Sequence, residues 1–217
     1  MSGALCVVFF YLARNPQTYN DLASEIRSTF QSVSDIGLGL KLDSCTYLHT
    51  CIEEGLCLFA GTAFWRDAEE GGAMVLGDYI PAGLTVGTSP YALHHNTDYF
   101  PDPFRYDPER WIPGGKYSAE QVKVAKAACS PFSLGPRSCV AKNLAMTTIL
   151  LTVATVVWSM DFRVAGGEMG RLGEREPHLG HGRHRREEFQ LYGSFTVHKD
   201  GPVLQFKKRN LGTDEKQ

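Results

Sequence analysis

A chain of 217 residues, 43% apolar and 21% charged, is long enough for one or two domains and ordinary enough in composition to bury a core. Its formal net charge of -2 lacks the basic excess that a phosphate-binding face needs, so nothing in it argues for nucleic acid as a partner. The six cysteines (Cys6, Cys45, Cys51, Cys57, Cys129, Cys139) include no Cys-x-x-Cys pair, and a chain of this size needs no disulfide staples; a reducing, intracellular setting is expected.

In chain order, the apolar run Ala4 to Ala13 has no basic segment before it and is too short to span a bilayer, so a buried helix is expected from about Gly3 to Arg14, ending at Asn15-Pro16. A second helix from near Thr18 places Leu22, Ile26 and Phe30 on one stripe. Ser32 to Asp43 reads as a Gly-containing loop. A third helix, Ser44 to Phe59, carries Leu48, Ile52 and Leu56 on one face, with Gly61 helping to end it. Between Ala63 and Ser89, glycine- and proline-marked breaks predict short strands and turns, and Tyr91 to Asn96 a helical turn.

Pro101, Pro103 and Pro108 make Phe100 to Trp111 an extended meander. A polar loop then leads to Ser130 to Ala141 and to an apolar helix ending near Trp158. Leu144 to Met160 approaches the length of a membrane span, but its threonines at 147, 148, 152 and 155 favour a core helix. From Gly166 a Gly-, Arg- and His-rich loop is expected, followed by a terminal hairpin built from Phe189 to Tyr192 and Val203 to Phe206, and an exposed tail over 208–217.

The constellation with chemical content is Phe132-x-x-Gly135-x-Arg137-x-Cys139-x-Ala141. A helix N-terminus stabilises a negative sulfur. Gly135 permits close approach of a flat ligand, Phe132 can cover the sulfur side, and Arg137 can neutralise a carboxylate on the ligand's rim. The competing account is a structural loop with a buried free cysteine. Cys45, His49, Cys51 and Cys57 scatter around one helix and match no common zinc pattern. His178, His181 and His184, with Arg183, Arg185 and Arg186, read as a solvated loop, and the adjacent Glu53 and Glu54 point in different directions, unlike a paired-carboxylate site.

The loop spacing resembles the haem-binding loop of cytochromes P450, Phe-x-x-Gly-x-Arg-x-Cys-x-Gly, with Ala141 at the last position. The resemblance covers nearly the whole chain and is nearest to fungal members acting on secondary metabolites or aromatic compounds. It includes Cys51-Ile52-Glu53-Glu54, Ile80-Pro81-Ala82-Gly83, Tyr91-Ala92-Leu93-His94-His95-Asn96, Phe100-Pro101-Asp102-Pro103 and Pro108-Glu109-Arg110-Trp111. It implies a mainly α fold with small β-sheets (α+β), the haem-binding C-terminal portion of a P450 domain over 1–217. It also implies haem b with Cys139 as axial thiolate, propionates held by Arg137 and Arg66, and contacts from Phe132, Gly135 and Ala141.

The implied activity is monooxygenation of a small hydrophobic substrate with O2 and electrons from NADPH-cytochrome P450 reductase. Relatives are anchored at the endoplasmic reticulum; no anchor is recognised here. Two departures qualify the resemblance. Glu54 and Arg110 match the family's buried charge network, but Cys57 stands where its third member, an arginine, is expected. The distal acid and alcohol residues that deliver protons are not identifiable, so no catalytic residue is assigned. A non-catalytic remnant and a fragment of a longer enzyme are the alternatives.

Overall fold

The computed structural model describes residues 2–59, 64–180, 183–192 and 198–210. Gly61, His181 and the tail beyond 210 lie outside them. Helices α1 (Ser2–Arg14), α2 (Pro16–Thr29), α4 (Thr46–Phe59) and α7 (Lys142–Ser159) surround the main core. Pro16 opens α2, where a missing N–H costs nothing, and Asn15 Nδ2 donates to Tyr11 O (2.8 Å) across the break. The stripe Leu22, Ile26, Phe30 and the face Leu48, Ile52, Leu56 are all buried, as expected. Each fully buried Leu, Ile or Phe contributes about 1.5–3 kcal/mol of transfer free energy, so these faces hold the helices together.

Electrostatics fixes the helix ends. Glu25 on α2 accepts from the Tyr47 and Leu48 amides (2.8 Å each) and so caps α4 with a carboxylate from a neighbouring helix. At the other extreme, Arg27 donates to Val157 O (2.9 Å from Nη2) and Met160 O (3.2 Å) and pairs with Asp161 (2.7 Å), where α7 leaves its carbonyls unpaired. Helix α7 is apolar on every side. Ile149, Leu150, Val153, Ala154, Val157 and Trp158 are buried in the core, while the first half of the helix is exposed or half-buried. By length and composition it is the one helix among the described residues that could cross a membrane.

Among the described residues the strands form three two-stranded antiparallel sheets. Strand β1 (Phe64–Asp67) pairs with β4 (Thr85–Thr88), and β2 (Ala73–Val75) with β3 (Asp78–Ile80), as the glycine breaks predict. Strand β5 (Met160–Val164) pairs with β6 (Leu204–Lys208), in register from Met160 with Lys208 to Val164 with Leu204.

This corrects the expected terminal hairpin. Residues 203–206 pair not with 189–192 but with β5, which follows α7 with no glycine or proline between them to mark the boundary. Among the described residues, Phe189 and Tyr192 make isolated bridges, to Glu174 and His198. Lys208, where the exposed tail is expected to begin, is exposed and pairs in the ladder, and the Arg209 amide donates to Ser159 O (3.0 Å).

Two loop expectations also change. Ser32 to Asp43 contains a 3-10 turn, Val33–Asp35, held by a Ser32–Asp35 capping box, and a short helix α3 (Leu40–Asp43) that buries Leu42. The polar loop before the cysteine motif contains α6 (Ala119–Ala128), started by a Ser118–Gln121 capping box. The helical turn is α5 (Pro90–His94), and the meander ends in a 3-10 turn, Pro108–Trp111.

Candidate functional site

A second, smaller apolar cluster lies between α4, the meander and α6: Cys57, Phe100, Trp111, Ala125 and Ala128, with Cys129 against it. At its edge sits Glu54, 1% exposed. One carboxylate oxygen accepts from the Asp107 amide (3.0 Å) and lies 3.4 Å from Arg110 Nε; the other accepts from Trp111 Nε1 (2.8 Å). Arg110 turns its remaining donors to Pro101 O (2.6 Å) and Asp102 O (3.3 Å). Burial pushes the Glu54 carboxyl up to about 7, against the opposing pull of Arg110 and the two N–H donors. Glu54 and Arg110 therefore pair directly, as the sequence allows. The donors Asp107 and Trp111 were not assigned this part from sequence, although Trp111 follows Arg110 in the same turn. Glu53 is only half-buried and faces elsewhere.

The loop after α6 is shaped by its own backbone. The Ser133 amide bonds Ser130 O (3.0 Å), the Cys139 amide bonds Phe132 O (2.8 Å), the Ser138 amide bonds Gly135 O (3.0 Å), and the Lys142 amide bonds Cys139 O (3.2 Å). Gly135 has φ +74°, a conformation that disfavours any side chain, and the space where its Cβ would stand is open. Phe132 is half-buried and packs on the main core, anchoring the loop.

Cys139 sits three residues ahead of α7 and is the exposed one of six cysteines; Cys45, Cys51 and Cys57 are buried, and Cys6 and Cys129 half-buried. Burial pushes the thiols of Cys45 and Cys51 up. Leu134, Val140 and Leu144 expose 70%, 102% and 64% of their surface on the same loop and first helical turn. Arg137 and Ala141 are also exposed. Arg66 lies on β1, exposed, with Nη1 donating only locally, to Trp65 O (3.2 Å).

Two groupings escaped the sequence. The supposed solvated loop contributes Glu188, 2% exposed, which accepts from Tyr91 Oη (2.8 Å) and pairs with Arg175 Nη2 (2.9 Å), while the Arg185 guanidinium lies 3.5 Å from the centre of the Phe104 ring. His178 is exposed, as expected. The other grouping joins Cys57, His94 and Cys129, whose ligand atoms all lie within 4.8 Å of one another; the candidate zinc set considered on α4 is not brought together. Both groupings unite segments far apart in sequence, which spacing alone does not reveal.

The α+β fold presents one solvent-facing cysteine just ahead of a long apolar helix and buries a glutamate–arginine pair between α4 and the meander. The Cytochrome P450 family model matches residues 1–181, and the chain belongs to the cytochrome P450 family. Similar relatives are fungal. Cytochrome P450 monooxygenase apf7 of Gibberella fujikuroi is 44% identical over 96% of this chain and 39% of that protein. A cytochrome P450 monooxygenase of Gibberella zeae is 41% identical over 96% of this chain and 47% of that protein. Cytochrome P450 monooxygenase AKT7 of Alternaria alternata is 42% identical over 95% and 41%. The chain thus spans less than half the length of these curated relatives.

Family membership implies haem with a cysteine thiolate. The residues present fit that group. An exposed thiol shares its loop and the next helical turn with exposed apolar side chains, with open space over a positive-φ glycine and an exposed arginine two residues before the cysteine.

Proposed function

We propose that these residues form the haem-thiolate portion of a monooxygenase that oxidises a small hydrophobic molecule, of the secondary-metabolite type, with electrons from NADPH-cytochrome P450 reductase. The observation that carries this reading is the exposure of Cys139 alone among the six cysteines. Haem b, when bound, supplies the redox-active iron for oxygen activation.

The chain's own residues do the rest. Cys139 would supply the sulfur ligand, its place ahead of α7 fixed by the bond from its amide to Phe132 O. Phe132 shields its protein side. Gly135 and Ala141 add little bulk to the loop, and the exposed Leu134, Val140 and Leu144 would offer apolar contact to a bound haem and help exclude water from it. Arg137 and Arg66 neutralise the propionates. Glu54 and Arg110 tie α4 to the meander and, through Trp111, which lines one hollow with Phe132, would help to position the cysteine loop.

A second reading, a remnant that retains the fold without loading haem, is favoured by Cys57 at the position where the resemblance expects an arginine. The carbon-monoxide difference spectrum of the haem-loaded, reduced chain separates the two. The monooxygenase reading expects the red-shifted Soret band of a thiolate-ligated ferrous haem, abolished by Cys139→Ser. A band without the red shift, or one unaffected by that substitution, sinks it.

A further inference from the structure

We propose that Cys57, His94 and Cys129 form a binding site for a thiophilic divalent cation of the zinc class. The site lies apart from Cys139 and does not depend on haem. Its three ligand atoms come from the last turns of α4 and α5 and from the residue that caps α6, and they already lie within 4.8 Å of one another.

The hydrogen bonds fix which nitrogen of His94 is available. Nδ1 lies 2.9 Å from Cys57 O, a backbone carbonyl that only accepts, so Nδ1 carries the proton. Nε2 accepts from the Ser130 amide at 3.0 Å, which only donates, so Nε2 holds the lone pair. A ring nitrogen that donates to a backbone carbonyl while the other presents its lone pair is the arrangement that orients a metal-binding histidine. Cation binding exchanges the Ser130 amide for a metal–nitrogen bond at the same atom.

Charge selects the cation. His94 is 1% exposed and Cys57 3% exposed, so an uncompensated charge there is costly. Two thiolates and a neutral imidazole around a divalent ion sum to zero. Binding releases the two thiol protons to solvent and changes no oxidation state. Sulfur and imidazole donors favour zinc over magnesium or calcium, and three protein ligands leave a fourth tetrahedral position for water. Cys129 also lines a surface hollow of about 180 Å³ with Trp111, Ser130 and Phe132, which gives a route in.

The test is titration of the whole reduced chain with Co2+, whose tetrahedral thiolate complexes absorb in the visible and near ultraviolet. One equivalent is expected to give intense ligand-field and sulfur-to-metal bands that survive Cys139→Ser and disappear in Cys57→Ser and in Cys129→Ser. His94→Gln is expected to weaken binding by at least about tenfold. Where a variant does not fold, X-ray absorption at the zinc edge of the unsubstituted, zinc-loaded chain decides: two sulfurs and one imidazole support the site. Absence of stoichiometric binding, bands that persist in Cys57→Ser or vanish in Cys139→Ser, or a first shell without two sulfurs overturns it.

Discussion

Glu54 Oε1 and Arg110 Nε stand 3.4 Å apart with side chains only 1% and 2% exposed, so the ion pair between α4 and the meander is sealed from solvent. Water does not screen it, and the geometry is not the close, two-pronged contact that most fully repays the desolvation of both ions. That shortfall explains why burial outweighs Arg110 and raises the carboxyl.

The raised carboxyl makes stability depend on pH. Between its ordinary value of 4.5 and about 7, the folded chain holds a proton on Glu54 that the unfolded chain has released. The contribution is therefore fully present below 4.5 and is lost as pH rises through 7, by a total of about 3 kcal/mol. Urea-unfolding midpoints measured across this window are expected to fall more steeply for the parent chain than for Glu54→Gln. Parallel profiles would show that Glu54 titrates normally.

Removing one partner differs from neutralising it. Arg110→Met leaves Glu54 without its counter-charge and the Pro101 and Asp102 carbonyls without their donor, and is expected to cost about 3–5 kcal/mol. Trp111→Phe keeps an aromatic ring, though a smaller one, and deprives Glu54 Oε2 of its 2.8 Å donor; the lost hydrogen bond is expected to cost about 1–3 kcal/mol. Chemical denaturation ranks the two; a larger loss for Trp111→Phe contradicts the assignment of Arg110 as the main compensation.

Loop and core cysteines should part company. Cys139→Ser is expected to change the stability of the haem-free chain by no more than about 0.5 kcal/mol, because the side chain is exposed. Leu48→Ala, at a position with no exposure, is expected to cost about 2–5 kcal/mol. Thermal melts of the two variants beside the parent test the contrast.

Helix α6 depends on its cap. Ser118→Ala removes the acceptor for the Gln121 amide and is expected to cost about 0.5–2 kcal/mol. Faster hydrogen exchange confined to residues 119–128 is the signature; uniform loss of protection would place the effect elsewhere.

The elements that sequence resolves best are those with strong periodicity or a hard stop. Leu22, Ile26 and Phe30 mark α2, and Asn15-Pro16 ends α1, because helical spacing and proline geometry act locally. The Ser118–Gln121 box was equally local, yet the polar face around Glu120 and Lys123 masked the helix behind it. Strand β5 was hidden for another reason: its alternating Met160-Asp161-Phe162-Arg163-Val164 follows Ser159 with no glycine or proline to end α7. The cysteine loop was legible through spacing, and the approach of Glu54 to Arg110 through resemblance. The meeting of Cys57, His94 and Cys129 was not legible, since tertiary packing alone brings positions 57, 94 and 129 together.

Helix α7 behaves as a cantilever. Its far end is clamped by Arg27 and by the buried side chains from Ile149 to Trp158, and its near end, which carries the thiol loop, projects with little beneath it. At 18 residues the beam is about 27 Å long. The far end rests on the whole core, whereas the near end is held by the loop's backbone bonds and by Phe132 and Met146, which are only half-buried against that core. Any load that settles on Leu134, Val140 and Leu144 therefore acts where the beam is most compliant, and damps it.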